Sequence, residues 1–320
     1  MIATKQLFVV GSPRSGTTLL AGALNQVAGV WIGKETGFIP FLYDATSEPV
    51  DEWDDRRLGT LIAAVNSYLS NEYWERRVSA EGVRRFWSET GTTGYAGLVR
   101  YVWSLDNPPD GADITFAGDQ TPTYVLAIPL LEQLFPDAYY VHVVRDPRDV
   151  VASILPLRFG AHSAGVAAAD WNECVAGWWA AERRLPPERL CEVRYEDLVA
   201  APAETLRILA AFLGVAPPEV AEAPSIPLDV HGLAQRVAHH ARLAEPIDDR
   251  SVGRHRRDLS DRDRALVEAI TFNGMVSYGY DAGPFRPSPV LQEKALLLTR
   301  ERVRDLRRRA VASLLRRWQR

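Results

Sequence analysis

The chain predicts an α/β fold, with a central parallel sheet covered on both faces by helices. Three observations carry this. Apolar runs at Leu7–Val10, Tyr139–Val144 and Leu190–Val193 have the length and composition of strands buried on both faces. A helical pattern follows each run, at Thr17–Val27, Arg148–Leu155 and Ala203–Leu213. Strands that alternate with helices pair in parallel through crossover connections. Finally, the first run passes straight into Gly11-Ser-Pro-Arg-Ser-Gly-Thr-Thr18, a Gly-bracketed turn that opens a helix.

That turn has the Gly-x-x-x-x-Gly frame of a phosphate-cradling P-loop, in which backbone N–H groups and a helix N-terminus face an anion. A nucleotide triphosphatase carries Lys after the second Gly; this chain carries Thr17, and its loop cation is Arg14. A kinase needs that lysine and Mg²⁺ to neutralise a triphosphate. A phosphosulfate places less charge on the transferring group, so one Arg and the amides suffice.

A second turn follows the central apolar run in Val141-His-Val-Val-Arg-Asp-Pro-Arg-Asp-Val-Val-Ala-Ser153. Arg145 ends the predicted strand, Pro147 opens the helix, and Ser153 lies about two turns along it. A guanidinium at a strand end with a hydroxyl on the next helix can clasp a phosphate. Arg148 and Asp149 read equally well as a surface ion pair with their neighbours. In open parallel sheets ligands bind beyond the carboxyl ends of the strands, so both turns can converge on one ligand.

The rest of the chain sets bounds. Its 320 residues, 47% hydrophobic and 24% charged, suit a globular protein with a large core. A net charge of −4 gives no support to a nucleic-acid binder. Two unpaired cysteines, Cys174 and Cys191, and six histidines without ligand spacing offer neither a disulfide framework nor a metal site. The first strand starts too near Met1 for a signal peptide, and no apolar run reaches the ~18 residues of a membrane span. The expectation is therefore a cytoplasmic protein. The skew of 34 arginines against three lysines is that of a GC-rich bacterial genome.

One domain is expected over 1–285. Within it, residues 45–112 form a helical, aromatic-rich insertion on the acceptor side. Residues 214–250 read as a long lid-like loop. Residues 286–320 read as a basic amphipathic helix, with Val303, Leu306, Ala310, Leu314 and Trp318 on one face. That helix could dock on its own domain, on a second subunit or on an anionic membrane surface.

Pro-Arg-Ser-Gly-Thr-Thr resembles the 5′-phosphosulfate loop of sulfotransferases that use PAPS (3′-phosphoadenosine-5′-phosphosulfate). Three further segments resemble that family in the same order: the Arg145–Ser153 turn, Glu192-Val-Arg-Tyr-Glu-Asp-Leu198, and Ser251-Val-Gly-Arg-His-Arg-Arg-Asp-Leu259. The resemblance implies a P-loop-like three-layer fold and transfer of a sulfuryl group from PAPS to an acceptor hydroxyl. The acceptor would be a small molecule, lipid, glycan or tyrosine. Pro13, Arg14, Ser15, Gly16, Thr17 and Thr18 would hold the 5′-phosphosulfate, and Arg145 and Ser153 the 3′-phosphate. Tyr195 would stack on or hydrogen-bond the adenine, while Glu196 and Asp197 anchor the next helix. Gly253 and Arg254 would close over the nucleotide, although His255 stands where many relatives carry Trp. The chemistry requires no metal.

Trp31-Ile-Gly-Lys-Glu-Thr-Gly-Phe38 is similar to the segment that supplies a Glu general base in protein-tyrosine and several bacterial sulfotransferases, which nominates Glu35. The competing reading is an ordinary loop carboxylate. Gly118-Asp-Gln-Thr-Pro departs from the family, where a Lys often stands at the position of Gln120 and stabilises the leaving group. Lys34 or Arg14 could cover that loss. Alternatively, the chain is a non-catalytic nucleotide-binding or scaffold protein.

Overall fold

A computed structural model describes residues 5–45, 54–69, 74, 77–106, 113–157, 161–218 and 247–283. Five strands form one parallel sheet: β1 (Lys5–Gly11), β2 (Val30–Ile32), β3 (Phe116–Asp119), β4 (Tyr139–Val144) and β5 (Leu190–Arg194), in the order β2-β3-β1-β4-β5. Around it lie α1 (Thr17–Leu24), α2 (Ile39–Ala45), α3 (Asp55–Tyr68), α4 (Ala80–Thr90), α5 (Gly94–Ser104), α6 (Ile128–Leu134), α7 (Pro147–Ile154), α8 (Ala164–Glu182), α9 (Tyr195–Ala200), α10 (Pro202–Leu213), α11 (His255–Asp258) and α12 (Asp261–Ser277).

Alternation along the central strand builds the layers. Leu7 and Val9 of β1 pack with Leu20, Leu24, Leu198 and Leu206 of α1, α9 and α10 on one face. Phe8 and Val10 face the other way, into a cluster with Leu58, Leu98, Trp103, Tyr124 and Trp178. All four strand residues are fully buried, and each such side chain stabilises the fold by ~1.5–3 kcal/mol. Phe8 stacks on Tyr140 of β4, with ring centroids 5.5 Å apart.

The three expected strands are β1, β4 and β5, and the helices behind them match α1, α7 and α10 within a few residues. β2 and β3 have no counterpart among the expected elements, because one is only three residues long and the other contains a glycine. That glycine is required. Gly118 pairs with Leu7 and Ile32, and a Cβ there would lie 1.9 Å from the Leu7 carbonyl oxygen. The Ala-rich α8 is also absent from the sequence reading, since it is apolar on most sides and lacks a clear helical stripe.

The expected helical insertion contains α3, α4 and α5, and its Trp74, Tyr95 and Trp103 are core residues. Trp53, Tyr73, most of the loop at 214–250 and the amphipathic segment 286–320 lie outside the described residues. No helix among the described residues is long and apolar enough to cross a membrane.

Two alanine substitutions check this packing. Gly118→Ala should lower the free energy of urea unfolding by ~3 kcal/mol or more, because the clash is with backbone. Gly59→Ala, in mid-α3 with open space around it, should instead gain ~0.5–1 kcal/mol.

Candidate active site

Each strand delivers one of the sequence-nominated residues just beyond its carboxyl end. β1 leads to Arg14, β2 to Glu35, β3 to Gln120, β4 to Arg145 and β5 to Tyr195. A parallel sheet points all its carboxyl ends the same way, so residues more than a hundred positions apart share one rim.

The P-loop turns through two left-handed residues, Arg14 at φ 71° and Gly16 at φ 102°. Gly16 caps α1 with no side chain over the helix N-terminus, which leaves that end open to an anion. The Arg145 guanidinium donates to the Arg14 carbonyl at 3.1 Å and to the Ser251 carbonyl at 2.6 Å. It also lies 4.1 Å from the centroid of the Tyr195 ring. Arg14 reaches the other way and donates from Nε to Ser153 Oγ at 3.3 Å. The four sequence motifs thus meet in one cluster. The Arg145 carbonyl is held in turn by the buried Trp171 indole of α8, at 3.0 Å.

Along this rim four polar atoms are buried with no hydrogen-bond partner: Ser15 Oγ, Arg145 Nε, and both Nε2 and Oε1 of Gln120 beyond β3. A buried polar group left unpaired costs ~1–3 kcal/mol, so these atoms can gain from a ligand that brings partners to them. The donor set of amides, guanidinium and hydroxyls fits phosphate and sulfate oxygens. Among the described residues, no group of three or more His, Cys, Asp or Glu could hold a metal.

Several of the nominated residues have partners within the fold. Tyr195 is 7% exposed, with one face against Arg145 and one edge against the P-loop. A Cβ on Gly16 would lie 2.6 Å from that ring. Tyr195 therefore supports the P-loop turn. Glu196 lies in the first turn of α9, where its carboxylate meets its own backbone amide, and it also accepts from the Asp146 amide at 3.0 Å and from Tyr280 at 2.9 Å, so it holds the Arg145 turn as well. Arg254 is paired with Asp258 one helical turn away, at 2.8 Å. Lys34 is paired with Asp106 at 3.4 Å.

Asp149 is the residue that sequence reasoning undervalued. It is fully buried and accepts from the Gly253 amide at 2.7 Å, the His255 amide at 2.9 Å and His255 Nδ1 at 2.7 Å. Against the penalty of burial, these bonds and Arg145 hold its carboxyl below the ordinary range. Asp149 thereby fastens the Ser251–His255 loop to α7. His255 contributes both its amide and one ring nitrogen to that fastening. Arg148, by contrast, does form ion pairs, with Asp146 and Glu268.

Glu35 lies half-buried beyond β2. Burial, and then the charge of Asp119, push its carboxyl up to about 7, against the opposing pull of Arg14. That is a suitable value for a group that must take a proton near neutrality.

The residues matched by known proteins can be set on this geometry. The profile of the Sulfotransferase family covers residues 6–219. The chain belongs to this family. Its sequence is 26% identical over 220 residues to protein-tyrosine sulfotransferase A of Caenorhabditis elegans, covering 65% of this chain and 50% of that protein. It is 25% identical over 221 residues to the protein-tyrosine sulfotransferase of Drosophila melanogaster, covering 65% and 38%. The chain thus matches half or less of the length of these relatives. In fold it is similar to the sulfotransferase domain from the Curacin biosynthetic pathway, with TM-score 0.53 and 18% identity, covering 88% of this chain and 99% of that one. The sulfotransferase domain of the Synechococcus PCC 7002 olefin synthase gives TM-score 0.53 and 20% identity, covering 88% and 97%.

Two variants test the site's energetics. Asp149→Ala should lose at least ~2 kcal/mol in urea unfolding, since three buried donors lose their acceptor. Glu35→Gln should behave differently. Because the folded-state value is raised, the stability linked to Glu35 is complete below about pH 4 and is lost as pH rises through about 7. Glu35→Gln should therefore match the parent at acid pH and exceed it by ~1–2 kcal/mol at pH 8, with its partial exposure taken into account.

Proposed function

We propose that the chain is a PAPS-dependent sulfotransferase acting on an acceptor hydroxyl. The observation that carries this reading is the convergence of the P-loop, Arg145 and Ser153 in a cluster that holds unpaired buried donors. When bound, PAPS supplies an activated sulfuryl group on a phosphate leaving group. The open amides of the Ser15–Thr18 turn and Arg14 face the phosphosulfate and neutralise charge at the bridging oxygen. Pro13 shapes the loop ahead of them. Arg145 and Ser153 grip the 3′-phosphate, and Gly253 closes the nucleotide side with its amide fixed by Asp149.

Glu35 accepts the acceptor's hydroxyl proton as the new S–O bond forms and the bond to the phosphate breaks. Gln120 brings a neutral dipole to the rim; its Nε2–H can face the departing phosphate oxygen without adding charge. The protein-tyrosine activity named for the curated relatives supports a phenolic hydroxyl as the acceptor to try first. Gln120 in place of a cation is the one feature that favours a non-catalytic nucleotide-binding protein.

Transfer of ³⁵S from labelled PAPS to a tyrosine-containing peptide, to 4-nitrophenol and to a cell lysate separates the two readings. Labelled product is expected with the parent chain, and a loss of ~100-fold or more with Glu35→Gln. No product from any acceptor, or equal product from the variant, contradicts the catalytic reading.

A further inference from the structure

Asp119 is the most tightly bonded carboxylate near the site, and no step so far gives it a role. It ends β3 with no exposed surface. Its Oδ2 accepts from the Thr36 hydroxyl at 2.5 Å, the Thr36 amide at 3.3 Å and the Trp103 indole at 3.2 Å, and its Oδ1 from the Thr121 amide at 2.6 Å. Thr121 adds a second clasp, its hydroxyl accepting from the Thr36 and Gly37 amides at 3.1 Å each. Tyr124 closes the ring, with its hydroxyl 2.7 Å from that of Thr36. The residue flanked by all these contacts is Glu35, whose own carbonyl accepts from the Trp74 indole at 2.8 Å. Beyond Asp119 on the other side comes Gln120, buried and with both amide atoms unpaired.

We propose that Asp119 is the positioning residue of this site: one carboxylate, bonded to Thr36 on one side and Thr121 on the other, fixes Glu35 and Gln120 in register at the ends of two neighbouring strands. This rests on the proposed role of Glu35 as proton acceptor. A buried anion with four donors and no cation is a rigid anchor, because every donor that moves away leaves a charge exposed to a poor dielectric. Rigidity at the base is what in-line transfer requires, since a misplacement of ~1 Å can cost ~100-fold in rate. The same negative charge acts on Glu35 through space, raising its affinity for a proton.

The other charged and titratable groups facing the pair are few. Arg14 of the P-loop opposes Asp119 at Glu35. Lys34 is paired with Asp106 at the end of α5. Among the described residues there are also Tyr124, which burial and Asp119 keep neutral, Tyr95 of α5, which donates to the Ile39 carbonyl, and Tyr68 of α3, whose ring packs against Gly37. Asp119 itself is shifted upward by burial, and its four bonds oppose that shift.

The first arm, a titration, needs no acceptor; the second uses whichever acceptor the labelled-PAPS assay identifies, the tyrosine peptide first. In protein labelled with ¹³C at the Glu carboxyls, Glu35 is assigned by the signal that Glu35→Gln removes and is titrated by NMR. The expected midpoint is about 7 in the parent, falling by roughly half a unit or more in Asp119→Asn. Thr36→Val keeps the charge and loses the hydroxyl bridge. It should leave the midpoint near the parent's while slowing sulfuryl transfer to the tyrosine peptide about tenfold or more, and Thr36→Ser should restore the rate. Calorimetric affinity for adenosine 3′,5′-bisphosphate should stay within about twofold in all three variants, as none touches the donor grip.

An unchanged Glu35 midpoint in Asp119→Asn overturns the inference. So does a Thr36→Val chain that transfers like the parent, or one that slows only as nucleotide affinity falls. If Asp119→Asn does not fold, the Thr36→Val and Thr36→Ser pair decides alone. Failure of the underlying reading looks different: Glu35→Gln then retains transfer, whatever Asp119→Asn does to the titration.

Discussion

The arrangement depends on where one guanidinium sits. Arg145 leaves the end of β4, is backed by the Tyr195 ring, and ties the carbonyls of Arg14 and Ser251 to itself. It therefore joins the P-loop, the β5 turn and the late basic loop, which otherwise approach from different layers of the fold. A planar fork of donors can satisfy several carbonyls at fixed angles and keep one N–H for a ligand; a lysine ammonium could not hold the same geometry. Burial makes the constraint stiff, because any carbonyl that lets go must find another donor without water.

Around that hub the sheet supplies direction and the loops supply chemistry. All five strands run the same way, so their carboxyl ends form one rim that carries the P-loop at β1, Arg145 at β4 and Glu35 beyond β2. Two buried carboxylates stabilise opposite sides of the rim. Asp149 holds the Ser251–His255 loop against α7, and Asp119 holds the Glu35 loop against β3. Their electrostatic surroundings differ. Asp149 faces His255 and Arg145 and is held in its charged form, whereas Asp119 has only neutral donors.

Much of this was legible in the residues, and the exceptions have physical causes. The long apolar runs of β1 and β4 and the Gly-bracketed turn announce themselves by pattern. β2 and β3 do not, because Val30–Ile32 is too short to show a period and Gly118 is chosen for closeness to Leu7 rather than for hydrophobicity. The motif residues Arg14, Arg145 and Ser153 do come together as their spacing suggested. Asp149 and Asp119 escaped because acidic residues beside Arg or Gln read as surface polarity until tertiary packing buries them. Tyr195 also props up the P-loop, a packing role that its motif does not announce. Arg254, nominated by its motif, and Lys34, nominated for its charge, each have a carboxylate of their own nearby.

The central claim is that Arg145 and Ser153 recognise a phosphate on the 3′ position of an adenosine carrier. Calorimetry on the purified chain with adenosine 3′,5′-bisphosphate and with adenosine 5′-monophosphate measures that recognition directly. The account predicts that the bisphosphate binds about 100-fold or more tightly, a difference of roughly 2.7 kcal/mol for one charge-assisted clasp. Equal affinities for the two nucleotides, or no binding of either, would contradict it.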